Sequence, residues 1–307
     1  MLSLKDRDIV SIRDFTRNEV EHILATARLM EPLAKGGSRM LDGKVLANIF
    51  FEPSTRTRLS FESAILKLGG QYISIPEPQV SSVQKGESLI DTIRVMENYA
   101  DVIVLRHPLE GAARLASEVA VIPIINGGSG SGEHPTQALL DVYTMMRELG
   151  AIDGLHVGLL GDLRYGRTVH SLAYLLAMYD TTLYMVSPDS LRMRQEIIDE
   201  ISSQVKVVER DNVEDVISKV DVLYVTRIQK ERFPDPEEYE KVKGIYRITP
   251  ETLRPAKNNL ILLHPLPRVD EVTLEVDYTP YARYFKETWY GLVTRMGLLC
   301  LVLGALE

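Results

Sequence analysis

Five apolar runs of this chain each pass into a polar segment that carries arginine. Phe50-Phe51 leads into Glu52-Pro53-Ser54-Thr55-Arg56-Thr57-Arg58, and Val104-Leu105 leads into Arg106-His107-Pro108. Leu159-Leu160 leads into Gly161-Asp162-Leu163-Arg164-Tyr165-Gly166-Arg167-Thr168. Tyr224-Val225 leads into Thr226-Arg227-Ile228-Gln229-Lys230, and Leu262-Leu263 into His264-Pro265-Leu266-Pro267-Arg268. A guanidinium is a planar fork that donates two parallel hydrogen bonds, which suits carboxylate and phosphate. A single arginine of this kind is ordinarily a solvated surface charge. Five that follow apolar runs imply one focused anion site, because open α/β sheets bind ligands outside the carboxyl ends of their strands.

The segment Ser54-Thr55-Arg56-Thr57-Arg58 carries the sharpest local signal. It joins a strand to a helix with apolar positions Leu59, Phe61, Ala64, Ile65 and Leu68. A helix start offers free amides and a positive dipole end. Hydroxyls at 54, 55 and 57 add donors, and Arg56 adds charge. The plain alternative is a Ser/Thr helix cap. A cap alone does not require two arginines and three hydroxyls, so phosphate binding is the reading adopted.

Gly161 to Thr168 nearly matches a nucleotide-binding P-loop, with Arg167 where the lysine should stand. Arginine is not equivalent to that compact charge. The Mg²⁺-holding aspartate such a site needs is also misplaced, since Asp221 precedes its apolar run. A nucleotide-binding switch therefore stands as the competing reading, and a catalytically silent anion-binding protein as a third. His134, in Glu133-His134-Pro135-Thr136-Gln137, falls at a loop–helix junction with Gln137 one turn later on the same face. The other histidines show no metal-ligand spacing, and no nucleophile elbow is present.

Elements that alternate must position these groups. Strands are predicted at 45–51, 72–75, 102–105, 121–125, 157–160, 183–186, 205–208, 222–225 and 260–263. Most are continuously apolar, as strands covered on both faces are. Helical patterns lie over 58–68, 88–99, 136–149, 168–179 and 191–201. Before them, Thr16 and Glu19 form a capping box ahead of the apolar face Val20, Ile23, Leu24 and Ala27. The fold class expected is α/β, with two domains, each a mainly parallel sheet wound with helices. The run from Asn126 to Gly132 is either a flexible linker or a loop whose backbone comes close to a ligand. The domains expected are 1–134, completed by a C-terminal helix at 288–307, and 135–287.

Composition narrows the function classes. The chain has 307 residues, a length for two domains, and a net charge of −8, which argues against a general nucleic-acid binder. Its one cysteine, Cys300, leaves no internal disulfide and no cysteine-built metal site. The N-terminal segment turns charged at once, and no apolar run approaches membrane-spanning length. A cytoplasmic protein with no membrane association is expected.

Taken together, the motifs resemble those of the aspartate carbamoyltransferase family. The matching segments are Ser54-Thr55-Arg56-Thr57-Arg58, Lys85-Gly86-Glu87, Arg106-His107-Pro108, His134-Pro135-Thr136-Gln137, Gly161-Asp162 through Gly166-Arg167-Thr168, Thr226-Arg227-Ile228-Gln229 and His264-Pro265-Leu266-Pro267-Arg268. They occur in the family's order and span most of the chain. The sister ornithine family typically has a His-Cys-Leu-Pro motif, where this chain has Pro265. Arg227 and Gln229 suit a dicarboxylate better than a cationic side chain.

The resemblance implies transfer of the carbamoyl group of carbamoyl phosphate to L-aspartate, an early step of pyrimidine synthesis, in a cleft between the two domains that closes on its substrates. By similarity, Ser54, Thr55, Arg56, Thr57 and Arg106 hold the phosphate. Thr57, Arg106 and His134 contact the carbamoyl oxygen, while Gln137 and the backbone carbonyls at Leu266 and Pro267 accept from the carbamoyl amino group. Arg167, Arg227 and Gln229 bind aspartate together with Lys85. The resemblance further implies a homotrimer in which Ser81 and Lys85 come from a neighbouring subunit. It implies no metal or organic cofactor, and it leaves room for a separate zinc-binding regulatory chain.

Overall fold

The computed structural model describes residues 3–75, 86–228 and 235–306. In chain order the elements are α1 (Arg17–Gly36), β1 (Val45–Phe50), α2 (Arg56–Lys67), β2 (Gln71–Ile75), α3 (Leu89–Met96), β3 (Val102–His107), α4 (Ala112–Val119), β4 (Ile124–Ser129) and α5 (Pro135–Leu149). There follow β5 (His156–Leu160), α6 (Arg167–Leu176), β6 (Thr182–Val186), α7 (Gln195–Ile201), β7 (Lys206–Arg210), β8 (Val222–Val225), α8 (Pro236–Val242), β9 (Ile261–Leu263) and α9 (Tyr284–Val302).

The chain forms two compact units. One comprises Met1–Tyr143 with Thr288–Glu307, and the other Thr144–Glu287. The first holds a four-stranded sheet in the order β2-β1-β3-β4, and the second a five-stranded sheet in the order β7-β6-β5-β8-β9. Every pairing between these strands is parallel. The expected α/β architecture of two parallel sheets wound with helices is what the chain adopts. Both changes of unit fall inside helices, α5 and α9, so the first passage lies nine residues beyond the expected 134/135 boundary.

Local chemistry explains the better-defined ends. Thr16 and Glu19 cap α1 reciprocally, and burial of Val20, Ile23, Leu24 and Ala27 then fixes its inner face. The central strand β8 is apolar and buried at every residue, as a strand covered on both faces is. The edge strands β2 and β7 stay largely exposed.

The Gly/Ser run is no linker. Ile124–Ser129 is the buried strand β4, and the chain then turns back so that Ser129 and Glu133 pair. Gly130 takes φ +47°, and a Cβ there would lie 2.8 Å from the Glu110 amide nitrogen. The small residues thus serve close backbone packing. The C-terminal helix expected at 288–307 starts earlier, at Tyr284, and the stretch 191–201 becomes helical only from Gln195. Among the described residues, no helix is long and apolar enough to cross a membrane, and no cluster of His, Cys, Asp or Glu could hold a metal ion.

Candidate functional site

In the first unit, β1 and β3 run side by side with Phe50 opposite Arg106. Their carboxyl ends therefore deliver the Ser54 segment and Arg106 to the same edge of the sheet. Arg106 donates from Nη1 to Ser54 Oγ at 3.3 Å and from Nε to Glu52 Oε2 at 3.2 Å. Two bonds from one planar group set its orientation.

The start of α2 is open rather than capped. Thr55 already has helical backbone angles, its side chain makes no capping bond, and no acidic residue occupies the first turn. Free amides, the dipole and Arg56 together favour an anion there. Arg58 runs the other way: its Nε lies 3.9 Å from Glu62 on the next turn.

His134 follows β4 and precedes α5. Its Nε2 lies 3.4 Å from Thr57 Oγ1, with both residues buried. Gln137 donates from Nε2 to Asp141 Oδ1 at 2.8 Å, which turns its own carbonyl oxygen away from that carboxylate. Behind them, the buried Arg295 of α9 donates to Ser60 Oγ at 2.9 Å and lies 5.2 Å over the Phe61 ring. Burial lowers its pKa to about 10, against the opposing pull of the Asp141 charge. Ser54, Thr55, Arg56, Thr57, Arg106, His134 and Gln137 thus all lie in this unit, Arg106 near the end of β3 and the others after β1 and β4.

In the second unit, β5, β8 and β9 are consecutive neighbours. The segments after them carry Arg167, Arg227 and Leu266-Pro267. Gly161 ends β5 with φ +120°, and a Cβ there would lie 2.3 Å from the Thr226 carbonyl oxygen. The Thr226 amide in turn donates to Leu160 O at 2.8 Å. This contact seats the Arg227 segment against the turn that leads to Arg167. Arg167 is itself buried at the start of α6.

That turn differs from a nucleotide-binding loop. The Tyr165 amide donates to Asp162 Oδ1 at 2.9 Å, so a buried carboxylate takes up one of the loop amides and would repel a phosphate.

Arg268 departs from the common pattern of the five arginines. It pairs with Asp277, donates to Tyr284 Oη at 2.9 Å, and stacks on Tyr284 and Phe285. It anchors its own loop instead of facing an anion. Gln229, Ser81, Lys85 and Lys230 lie outside the described residues.

Two family models match the chain. Residues 7–147 match the carbamoyl-P binding domain of aspartate/ornithine carbamoyltransferase, and residues 153–302 match the Asp/Orn binding domain. The chain is 54% identical to the aspartate carbamoyltransferase catalytic subunit of Methanosarcina barkeri, over 100% of both chains. The chain belongs to the aspartate carbamoyltransferase family. The Thermococcus kodakarensis member is 58% identical over 98% of both chains. Among solved structures of the family, the catalytic subunit of M. jannaschii aspartate transcarbamoylase superposes with a TM-score of 0.88 at 54% identity, covering 95% of this chain and 96% of that one. Trypanosoma cruzi aspartate transcarbamoylase in complex with carbamoyl phosphate and aspartate superposes with a TM-score of 0.94 at 39% identity, covering 98% of both.

Within this carbamoyltransferase frame, sequence reasoning missed the groups that hold the site residues from behind. Asp141 stands four residues after Gln137, a spacing that marks a shared helix face. Glu52 adjoins the Ser54 segment but is a partner of Arg106 only through the strand order. Arg295 carried no local signal, because its partner Ser60 is 235 residues away along the chain.

Proposed function

We infer that the chain catalyses transfer of the carbamoyl group from carbamoyl phosphate to L-aspartate, giving N-carbamoyl-L-aspartate and phosphate. The observation that carries this reading is the meeting of Ser54 with Arg106, and of Thr57 with His134, beside an uncapped helix start. A doubly charged phosphate suits that start, with Ser54, Thr55, Arg56, Thr57 and Arg106 donating to it.

The aspartate amine attacks the carbamoyl carbon, and the carbonyl oxygen gains negative charge. Thr57, Arg106 and His134 donate to that oxygen, so they stabilise the tetrahedral species more than the substrate. Gln137 and the Leu266 and Pro267 carbonyls accept from the amino group and orient the carbamoyl plane. The C–O bond to phosphate then breaks, and the departing phosphate takes the proton released by the amine. Catalysis rests on positioning and charge stabilisation, with no metal or organic cofactor. Arg167, Arg227, Gln229 and Lys85 bind the carboxylates of aspartate.

The working form we propose is a cytoplasmic homotrimer that closes over its substrates, with Ser81 and Lys85 supplied by the neighbouring subunit. Edge strand β2 leaves Tyr72 and Ile73 exposed, and α2 leaves Leu59 and Leu66 exposed, apolar side chains that association would cover. A zinc-binding regulatory chain would be a separate polypeptide.

The test is phosphate release by the purified chain. Release that requires both carbamoyl phosphate and aspartate supports the reading. Turnover with ornithine instead of aspartate, or tight anion binding without turnover, overturns it.

A further inference from the structure

We infer that His264 and Glu271 form a positioning pair that aims the Leu266 carbonyl at the carbamoyl amino group. The inference rests on the transferase reading above and deepens it. His264 ends β9 and is buried, with 1% of its surface exposed, so its ring can act only on its immediate neighbours. Its Nδ1 accepts from the Leu266 amide at 2.8 Å, while Nε2 lies 2.7 Å from Glu271 Oε1. A ring nitrogen that accepts an N–H bond carries no proton. The imidazole proton therefore sits on Nε2 and is donated to Glu271, which fixes both the tautomer and the ring plane.

Glu271 is itself held in place. Its carboxylate accepts from the Val269 amide at 3.2 Å and from the Asp270 amide at 3.2 Å. Burial alone would raise its pKa, but His264 and the amides of Glu271 and Val269 bring it below the ordinary carboxylate range. The His264 amide donates to Glu287 Oε2 at 3.1 Å, which ties the start of the segment to α9. At its other end, Arg268 is anchored on Asp277 and Tyr284. Only Pro265, Leu266 and Pro267 lie between these two anchors.

Leu266 has φ +55°, a conformation that a leucine adopts only under constraint from its surroundings. The bond from its amide to His264 supplies that constraint. It fixes the plane of the peptide that enters Leu266, and the φ of +55° then limits the directions open to the carbonyl that leaves it. The pair does not touch the reacting atoms. It acts through the backbone it holds.

Two substitutions separate the two ring nitrogens. Asparagine keeps an acceptor near the Nδ1 position and loses the bond to Glu271. Glutamine keeps a donor near the Nε2 position and loses the bond from the Leu266 amide. His264→Gln should lower kcat about 100-fold, the cost of displacing a positioning group by roughly 1 Å, whereas His264→Asn should lower it about tenfold. The KM for aspartate should change less than kcat in both variants. Equal losses in the two variants, or a His264→Gln enzyme with normal kcat, would overturn the inference.

A second measurement needs no variant and no turnover. Nitrogen-15 spectra of the imidazole in the intact wild-type chain should show His264 protonated at Nε2 and unprotonated at Nδ1. The opposite tautomer, or a doubly protonated ring at neutral pH, would overturn the pair. A wild-type chain that lacks transferase activity yet shows this tautomer would instead place the failure in the reaction assignment.

Discussion

Gly161→Ala should weaken the use of aspartate while leaving carbamoyl phosphate binding intact. At φ +120° an alanine is strained in any surroundings. In addition, its Cβ would sit 2.3 Å from the Thr226 carbonyl oxygen, and ordinary contact begins at 3.4 Å. The obstacle is backbone, so the segments after β5 and β8 must part by about 1 Å. Thr226 precedes Arg227, and the displaced turn leads into Arg167. A shift of this size in positioning groups costs about 100-fold, so kcat/KM for aspartate should fall 10- to 100-fold, to order of magnitude. Strain and overpacking together cost about 2–4 kcal/mol, which should lower the melting temperature by roughly 5–10 °C. The assay is carbamoyl aspartate formation with aspartate varied, alongside equilibrium dialysis of carbamoyl phosphate. Gly154→Ala is the control, since φ is +84° there but nothing lies within 4 Å of the new Cβ. It should cost about 1 kcal/mol of stability and leave kcat/KM unchanged. A normal Gly161→Ala enzyme, or an equal loss of activity in both variants, would refute the reasoning.

Arg106→Ala removes the charged bonds to Ser54 and Glu52 and the proposed grip on phosphate. At about 1.5–3 kcal/mol per charged hydrogen bond, kcat/KM for carbamoyl phosphate should fall by at least about 100-fold, and a loss under tenfold would remove the assigned role. Asp221 accepts from Lys257 at 2.8 Å and from the His156 amide at 2.9 Å. Burial alone would raise its pKa, but these donors leave it below the ordinary 3.8. A depressed folded pKa gives stability that is present above the unfolded value and lost as pH falls through the folded one. As the wild type is acidified below a pH of about 4, its advantage over Asp221→Asn should therefore shrink progressively and vanish below the folded pKa, as read from melting temperature against pH. Cys300 is buried, and burial pushes its thiol up to about 12. It should resist thiol reagents in the native protein and react on unfolding, and rapid labelling of the native chain would contradict its position.

Much of the fold was legible because buried parallel strands and amphipathic helices leave strong patterns. All nine strands of the two sheets overlap runs of branched apolar residues. What escaped had weak or contrary local signals. The eight residues of α4 include three alanines, too small to mark a face clearly. α8 has too few apolar residues to mark a helix face, although Asp235 caps it by accepting from the Glu237 amide. The Gly/Ser run looked flexible because glycine serves equally well in a linker and in a buried strand. Residue types marked candidate anion-binding groups, but not how each arginine is partnered. Arg106 and Arg268 both come after apolar runs of the sequence, and only the tertiary structure turns one toward Ser54 and the other onto Asp277.

The chain enters the Thr144–Glu287 unit once and leaves it once, and the first unit is finished only by residues after 287. The second unit is thus a continuous insertion within the first. During synthesis its sheet can assemble as soon as its own residues have emerged. The sheet that carries Ser54 and Arg106 must wait for the last helix, because Arg295 and its neighbours complete the packing around Ser60 and Phe61. A released chain that ends at residue 287 should therefore be protease-resistant over its later half while its earlier half is not.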